Sequence, residues 1–180
     1  FLFILFANPA AKGQISITNR SADKVIEFGN SKLSFTLDYD LKCVVTEMEV
    51  NGESVLSNKP GIYSEIRTST ASYSTCKLLT SPKIETKKDR VTLSGIRYGE
   101  NNALIDEVWT FIITETDVRL DIERSVSEPV VVEEVSFPSV NFNNIGTWNG
   151  AFTDYGGLAW FYLFNEKLCT YGVHSNSSVF

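Results

Sequence analysis

The stretch from Asn141 to Lys167, NFNNIGTWNGAFTDYGGLAWFYLFNEK, carries the residue types best suited to holding a sugar. Gly146, Gly150, Gly156 and Gly157 alternate with Trp148, Phe152, Tyr155 and Trp160. The apolar C–H face of a pyranose stacks on an indole or phenol ring, while amide and carboxylate side chains take its hydroxyls. Trp148, Asn149, Asp154 and Tyr155 are therefore the candidate substrate-binding set. Trp148 or Tyr155 is the stacking face, and Asn149 and Asp154 are the hydroxyl partners. Large aromatics also pack long loops onto the body of a domain, and that alternative stands beside the binding one. Trp160 to Phe164 is apolar on both sides and predicts a buried strand.

Catalytic groups are harder to find. Glycoside hydrolysis needs two carboxyl groups set about 5 to 9 Å apart. Glu133 and Glu134 are adjacent, and neighbours on a strand point to opposite faces, so they are expected as surface charges. His174 is the one histidine and lies in GVHSNSS. A lone histidine is more often a surface or packing residue than a general acid or base. Cys43, Cys76 and Cys169 form no CxxC or Cys/His grouping, so no metal site is expected. They allow at most one internal bridge, or serve as small buried apolar residues. No phosphate-cradling loop, GxSxG elbow or HExxH helix is present in the sequence. The expectation is a chain with no catalytic set and no cofactor of its own.

Sixteen Lys and Arg against 22 Asp and Glu give a net charge of −6. That balance argues against nucleic acid as a partner, since phosphate binding needs a basic face. The hydrophobic fraction of 43% is enough for a packed core. Phe1 to Ala7, FLFILFA, followed by Asn8-Pro9-Ala10-Ala11-Lys12-Gly13, reads as the end of a secretory signal peptide cleaved before Gln14. Its alternative is a first core strand; the run is too short to span a membrane. The expected organisation is a signal remnant over 1–13 and one β-sandwich domain over 14–180. Export to a periplasm or beyond, in a bacterium, goes with the sparse cysteine use. The opening at Phe1 and the apolar end at Phe180 suggest a piece cut from a longer protein.

The elements that must position these residues are strands. Asp106 to Arg124, DEVWTFIITETDVRLDIER, predicts two long strands joined at Glu115-Thr116-Asp117. Val118, Leu120 and Ile122 share one face of the second arm, with Arg119, Asp121 and Glu123 on the other. In the first arm Trp109, Phe111 and Ile113 share a face, but Val108 and Ile112 sit opposite, which predicts partial cover on both sides. Lys32 to Leu41 alternates cleanly, and Asn51-Gly52 predicts a tight type I′ turn. Further strands are expected at Ile15 to Thr18, Lys24 to Phe28, Val44 to Val50, Glu53 to Leu56 and Ile62 to Ser69. More follow at Tyr73 to Thr80, Ile84 to Lys87, Val91 to Tyr98 and Val130 to Val135, with Pro138 ending a short run. No segment of helical length shows apolar residues at helical spacing. Roughly ten to twelve strands with frequent turns predict an all-β antiparallel sandwich, larger than an immunoglobulin-like one.

The order Lys32 to Leu56, then Lys83 to Tyr98, then the pair Ala103 to Ser125, then Pro129 to Val132, resembles galactose mutarotase-like β-supersandwich domains. The resemblance covers about Ile15 to Phe142 and consists of strand and turn order. It implies a large antiparallel supersandwich, truncated here at its C-terminal side. Such domains stand at the N-terminus of many secreted glycoside hydrolases and polysaccharide lyases, where a following helical toroid carries most catalytic groups. The implied function is an N-terminal carbohydrate-binding or structural module of such an enzyme. Its partners would be a poly- or oligosaccharide and the missing catalytic domain. A stand-alone carbohydrate-binding or surface-interaction sandwich is the alternative. An aldose epimerase is a further one, which His174 alone serves poorly, because that chemistry uses paired groups.

Overall fold

A computed structural model describes residues 14–56, 60–100, 103–129, 131–140, 151–155 and 158–162. The backbone divides into two compact units, Phe1–Asn141 and Phe142–Phe180. Among the described residues there are fourteen strands and no helix. All strand pairs are antiparallel, and the fold is an all-β, sandwich-like one.

The first sheet of the larger unit has the order β1 (Ser16–Arg20), β2 (Val25–Gly29), β3 (Leu33–Asp38), β4 (Val44–Val50), β5 (Glu53–Ser54). Period-two alternation puts Phe35 and Leu37 of β3 inward, beside Ile26 and Phe28 of β2. Asn51 and Gly52 both have positive φ, 54° and 80°, as the Asn-Gly pair requires between β4 and β5.

The second sheet has the order β11 (Val118–Val126), β10 (Ala103–Ile113), β9 (Arg90–Glu100), β8 (Lys83–Lys87). β10 is its spine. Ala103, Ile105, Glu107, Trp109, Phe111 and Ile113 are buried, and every residue between them is half-buried. Val108 and Ile112 thus have the partial cover expected on the outer face. β11 alternates as its sequence predicts, but its inward residues are half-buried rather than buried, because it lies at the sheet's edge. Leu93 pairs with Trp109 and Ile96 with Glu107, so Ser94 and Gly95 together oppose Val108. Gly95 adopts φ +72° in this bulge, a conformation an L side chain resists.

The two sheets meet through aromatic rings. The Phe28 and Phe111 centroids are 4.6 Å apart, and Phe111 stands edge-on to Trp109 at 6.2 Å. Each such ring contributes about 1.5–3 kcal/mol by leaving water. Asn30 ties the ends together: its Nδ2 donates to the Thr114 carbonyl at 2.9 Å, while its Oδ1 accepts from the Lys32 and Leu33 amides.

A three-stranded sheet of order β12 (Val132–Ser139), β6 (Tyr63–Thr68), β7 (Ser72–Ser74) completes the larger unit. Two sequence expectations change here. The strand expected over Tyr73 to Thr80 is only the short β7, because beyond it each amide serves a different neighbour. Thr75 donates to Ser64, Leu78 to Leu41 and Leu79 to Arg97. β12 runs past Pro138 to Ser139, its pairing with β6 breaking register between Ser136 and Ser139. An edge strand accommodates a residue that lacks an N–H. The described residues of the smaller unit form a hairpin, β13 (Ala151–Tyr155) and β14 (Leu158–Tyr162).

Candidate functional site

The residues singled out for sugar binding fall in and before the β13–β14 hairpin. Asp154 pairs with Ala159 and Tyr155 with Leu158, so both belong to a strand. Trp160, expected in a strand, pairs with Thr153. Trp148 and Asn149 lie outside the described residues, as do Phe1 to Gly13, Cys169 and His174. Glu133 and Glu134 are both exposed, as surface charges should be, and Glu134 meets Arg67 across the β12–β6 ladder at 2.5 Å.

The strongest polar constellation lies elsewhere, inside the larger unit. Glu107 is 1% exposed and occupies an inward position of β10, in phase with Trp109 and Phe111. The register of the sheet sets Arg124 of β11 directly opposite it. Arg124 Nε donates to Glu107 Oε1 at 2.5 Å. The same oxygen accepts from the Tyr98 hydroxyl at 2.7 Å and from the Ser64 hydroxyl at 2.8 Å. Trp109 Nε1 donates to Oε2 at 2.7 Å. Arg124 Nη2 closes the ring by donating to Ser64 Oγ. Three strands of the second sheet and β6 of the third therefore meet at one carboxylate.

The chemistry of this cluster is that of a clamp. A carboxylate can only accept, and four donors occupy Glu107. Its charge is matched by Arg124, whose side chain is 13% exposed. Ser64 is fully buried, and its amide and carbonyl are held by Thr75, so a substrate has no approach to its hydroxyl. Burial, and secondarily the Glu107 carboxylate, push the Tyr98 phenol well above its ordinary range. The same two causes, in the same order, raise the Cys43 thiol. Among the described residues no buried side-chain polar atom lacks a hydrogen-bond partner.

Over the backbone of the Glu107–Arg124 step lies an open cleft of about 350 Å³, lined by Gly95, Asp106, Val108, Glu123 and Ser125 besides that pair. Arg97 grips Asp106 there with Nε and Nη2 at 2.8 and 3.0 Å. No aromatic residue lines the cleft, so it offers no stacking face for a sugar ring.

Cys43 and Cys76 are both free. The Cys43 amide donates to the Thr75 carbonyl at 2.7 Å, which brings the two backbones side by side. Their thiols have different surroundings: Cys43 is buried and feels Glu107, whereas half-buried Cys76 feels Ser74, Glu65 and Lys42. No group of three or more potential metal ligands occurs among the described residues. No helix among them is long and apolar enough to cross a membrane.

Sequence reasoning passed over the clamp. Its signal was a charge at inward parity on each of two adjoining strands. Glu107 falls in step with Trp109, Phe111 and Ile113, and Arg124 in step with Val118, Leu120 and Ile122. No family model, curated protein or solved structure matches the chain.

Proposed function

We propose that the chain is the N-terminal carbohydrate-binding and structural β-sandwich module of a secreted, glycoside hydrolase-like enzyme. In this reading it belongs with the galactose mutarotase-like supersandwiches, and a further domain supplies the catalytic groups. The observation that carries the reading is the closed state of the Glu107 cluster. The larger unit's buried carboxylate is spent on holding strands together, which is scaffold chemistry rather than acid–base chemistry. Ligand contact then falls to the segment richest in aromatic and amide side chains. There Trp148 or Tyr155 stacks on the sugar, and Asn149 and Asp154 take its hydroxyls.

One ring stacked on a sugar is worth about 0.5–1.5 kcal/mol beyond area burial, so binding by this chain is expected near the millimolar range, roughly −4 kcal/mol. Oligosaccharides titrated against the full chain, followed by tryptophan fluorescence, give the affinity. Trp148→Ala or Tyr155→Ala should weaken it up to about tenfold. If both variants bind every oligosaccharide as the parent does, the segment has no part in recognition and the proposal fails.

A further inference from the structure

β11 closes the second sheet, and among the described residues β10 is its one strand partner. At one end of their ladder the Thr114 amide donates to the Asp117 carbonyl, and at the other the Ser127 amide donates to the Leu104 carbonyl, both at 2.9 Å. The register between these ends is unbroken, from Ile113↔Val118 to Ile105↔Val126. Antiparallel alternation then aims the backbone groups of Arg119, Asp121, Glu123 and Ser125 at β10. Those of Val118, Leu120 and Ile122 point away from it. A nine-residue strand with such an edge is a template for another strand.

The side chains add direction to that edge. Val118, Leu120 and Ile122 are half-buried, while their β10 partners Ile113, Phe111 and Trp109 are 2%, 2% and 0% exposed. Apolar cover on the inner face thins out at β11. On the outer face Arg119, with 66% of its side chain exposed, donates from Nη2 to Asp121 Oδ2 of its own strand at 2.8 Å, an exposed pair that can be exchanged for one across strands.

We propose that β11 pairs with β11 of a second copy of the chain, antiparallel, about a two-fold axis through Leu120. Each apolar residue then gains an apolar neighbour on the inner face: Leu120 meets the partner's Leu120, and Val118 meets the partner's Ile122. On the outer face Arg119 lies opposite the partner's Asp121, and symmetry repeats the ion pair. Several other registers set like charges face to face. An axis through Arg119 sets two guanidinium groups face to face, and one through Asp121 does the same with two carboxylates. An axis through Ile122 places Asp121 against the partner's Glu123. Like charges directly opposite are destabilising in a ladder. The contact is small, so the dimer is weak, with a dissociation constant on the order of 100 μM.

Sedimentation of the full chain across a concentration series tests this, read together with amide hydrogen exchange. Dimers should form, and the Leu120 and Ile122 amides should gain protection as they do. Arg119→Asp should raise the dissociation constant at least about tenfold, and adding Asp121→Arg to that variant should restore it. A chain that stays monomeric up to about 1 mM overturns the proposal. So does a dimer that ignores the Arg119→Asp substitution.

Discussion

Arg124 faces Glu107 directly across the β10–β11 ladder, with its Nε 2.5 Å from Oε1 of a carboxylate that is 1% exposed. Two opposite charges removed from water repay their desolvation only while both are present.

Removing one partner should therefore cost far more than removing both. Glu107→Leu or Arg124→Met alone is expected to destabilise the fold by about 3–5 kcal/mol. The double variant should recover most of that loss. Urea denaturation of the four proteins gives the coupling. Additive losses would mean that the two side chains act independently.

Tyr98 makes the larger unit sensitive to alkali. Its phenol pKa in the fold is raised above the ordinary value of about 10, first by burial and then by Glu107. A group raised on folding contributes stability that is complete below its unfolded pKa and is lost as pH climbs toward its folded one. Stability should thus fall as pH passes about 10, and Tyr98→Phe should flatten that fall. At neutral pH the same substitution should cost about 1.5–3 kcal/mol, since it removes a hydrogen bond to a charged group. Thermal unfolding across pH 7 to roughly 11.5 provides both readings. A variant whose alkaline profile parallels the parent's would place the sensitivity on another group, with Cys43 the first to examine.

Phe111 and Leu120 are register partners on the same face, yet they sit at different depths. Phe111 touches Phe28 and Trp109 and is 2% exposed; Leu120 is half-buried at the edge. Phe111→Ala should cost about 3–5 kcal/mol. Leu120→Ala should cost about 1–2 kcal/mol, since only part of the side chain leaves water on folding. Chemical denaturation at low protein concentration compares them. Equal losses would show that β11 is as deeply covered as β10.

Where period-two alternation ran unbroken, the sequence located its strands well. Leu33 to Leu37, Trp109 to Ile113 and Val118 to Ile122 all face as their spacing indicates. Asn51-Gly52 turns as its φ preference requires. Depth was not legible, because alternation states which side a residue faces and not whether its strand is central or at an edge. Leu120 looks like Phe111 by that measure. The clamp was overlooked because carboxylates and guanidinium groups normally mark solvent faces. Glu107 and Arg124 become core residues only when two strands 17 residues apart in phase are set side by side. The segment Tyr73 to Thr80 looked like a strand from its composition, but backbone partners scattered over β6, β9 and the β3–β4 connection leave most of it no ladder.

The bulge at Ser94 and Gly95 works as a repaired frameshift. Ahead of it the odd-numbered residues Val91 and Leu93 face the core, and behind it the even-numbered Ile96 and Tyr98 do. Strict alternation continued from Leu93 would have driven Arg97 inward and turned the Tyr98 hydroxyl out to solvent. The core would then hold a second guanidinium near Arg124 and lose one donor to Glu107. Because the extra residue is absorbed where Gly95 can take a positive φ, the change of phase ends within two residues. Elsewhere on β9 an added residue would turn over every side chain after it. The charge balance around Glu107 thus depends on a glycine whose own contacts contribute nothing to it.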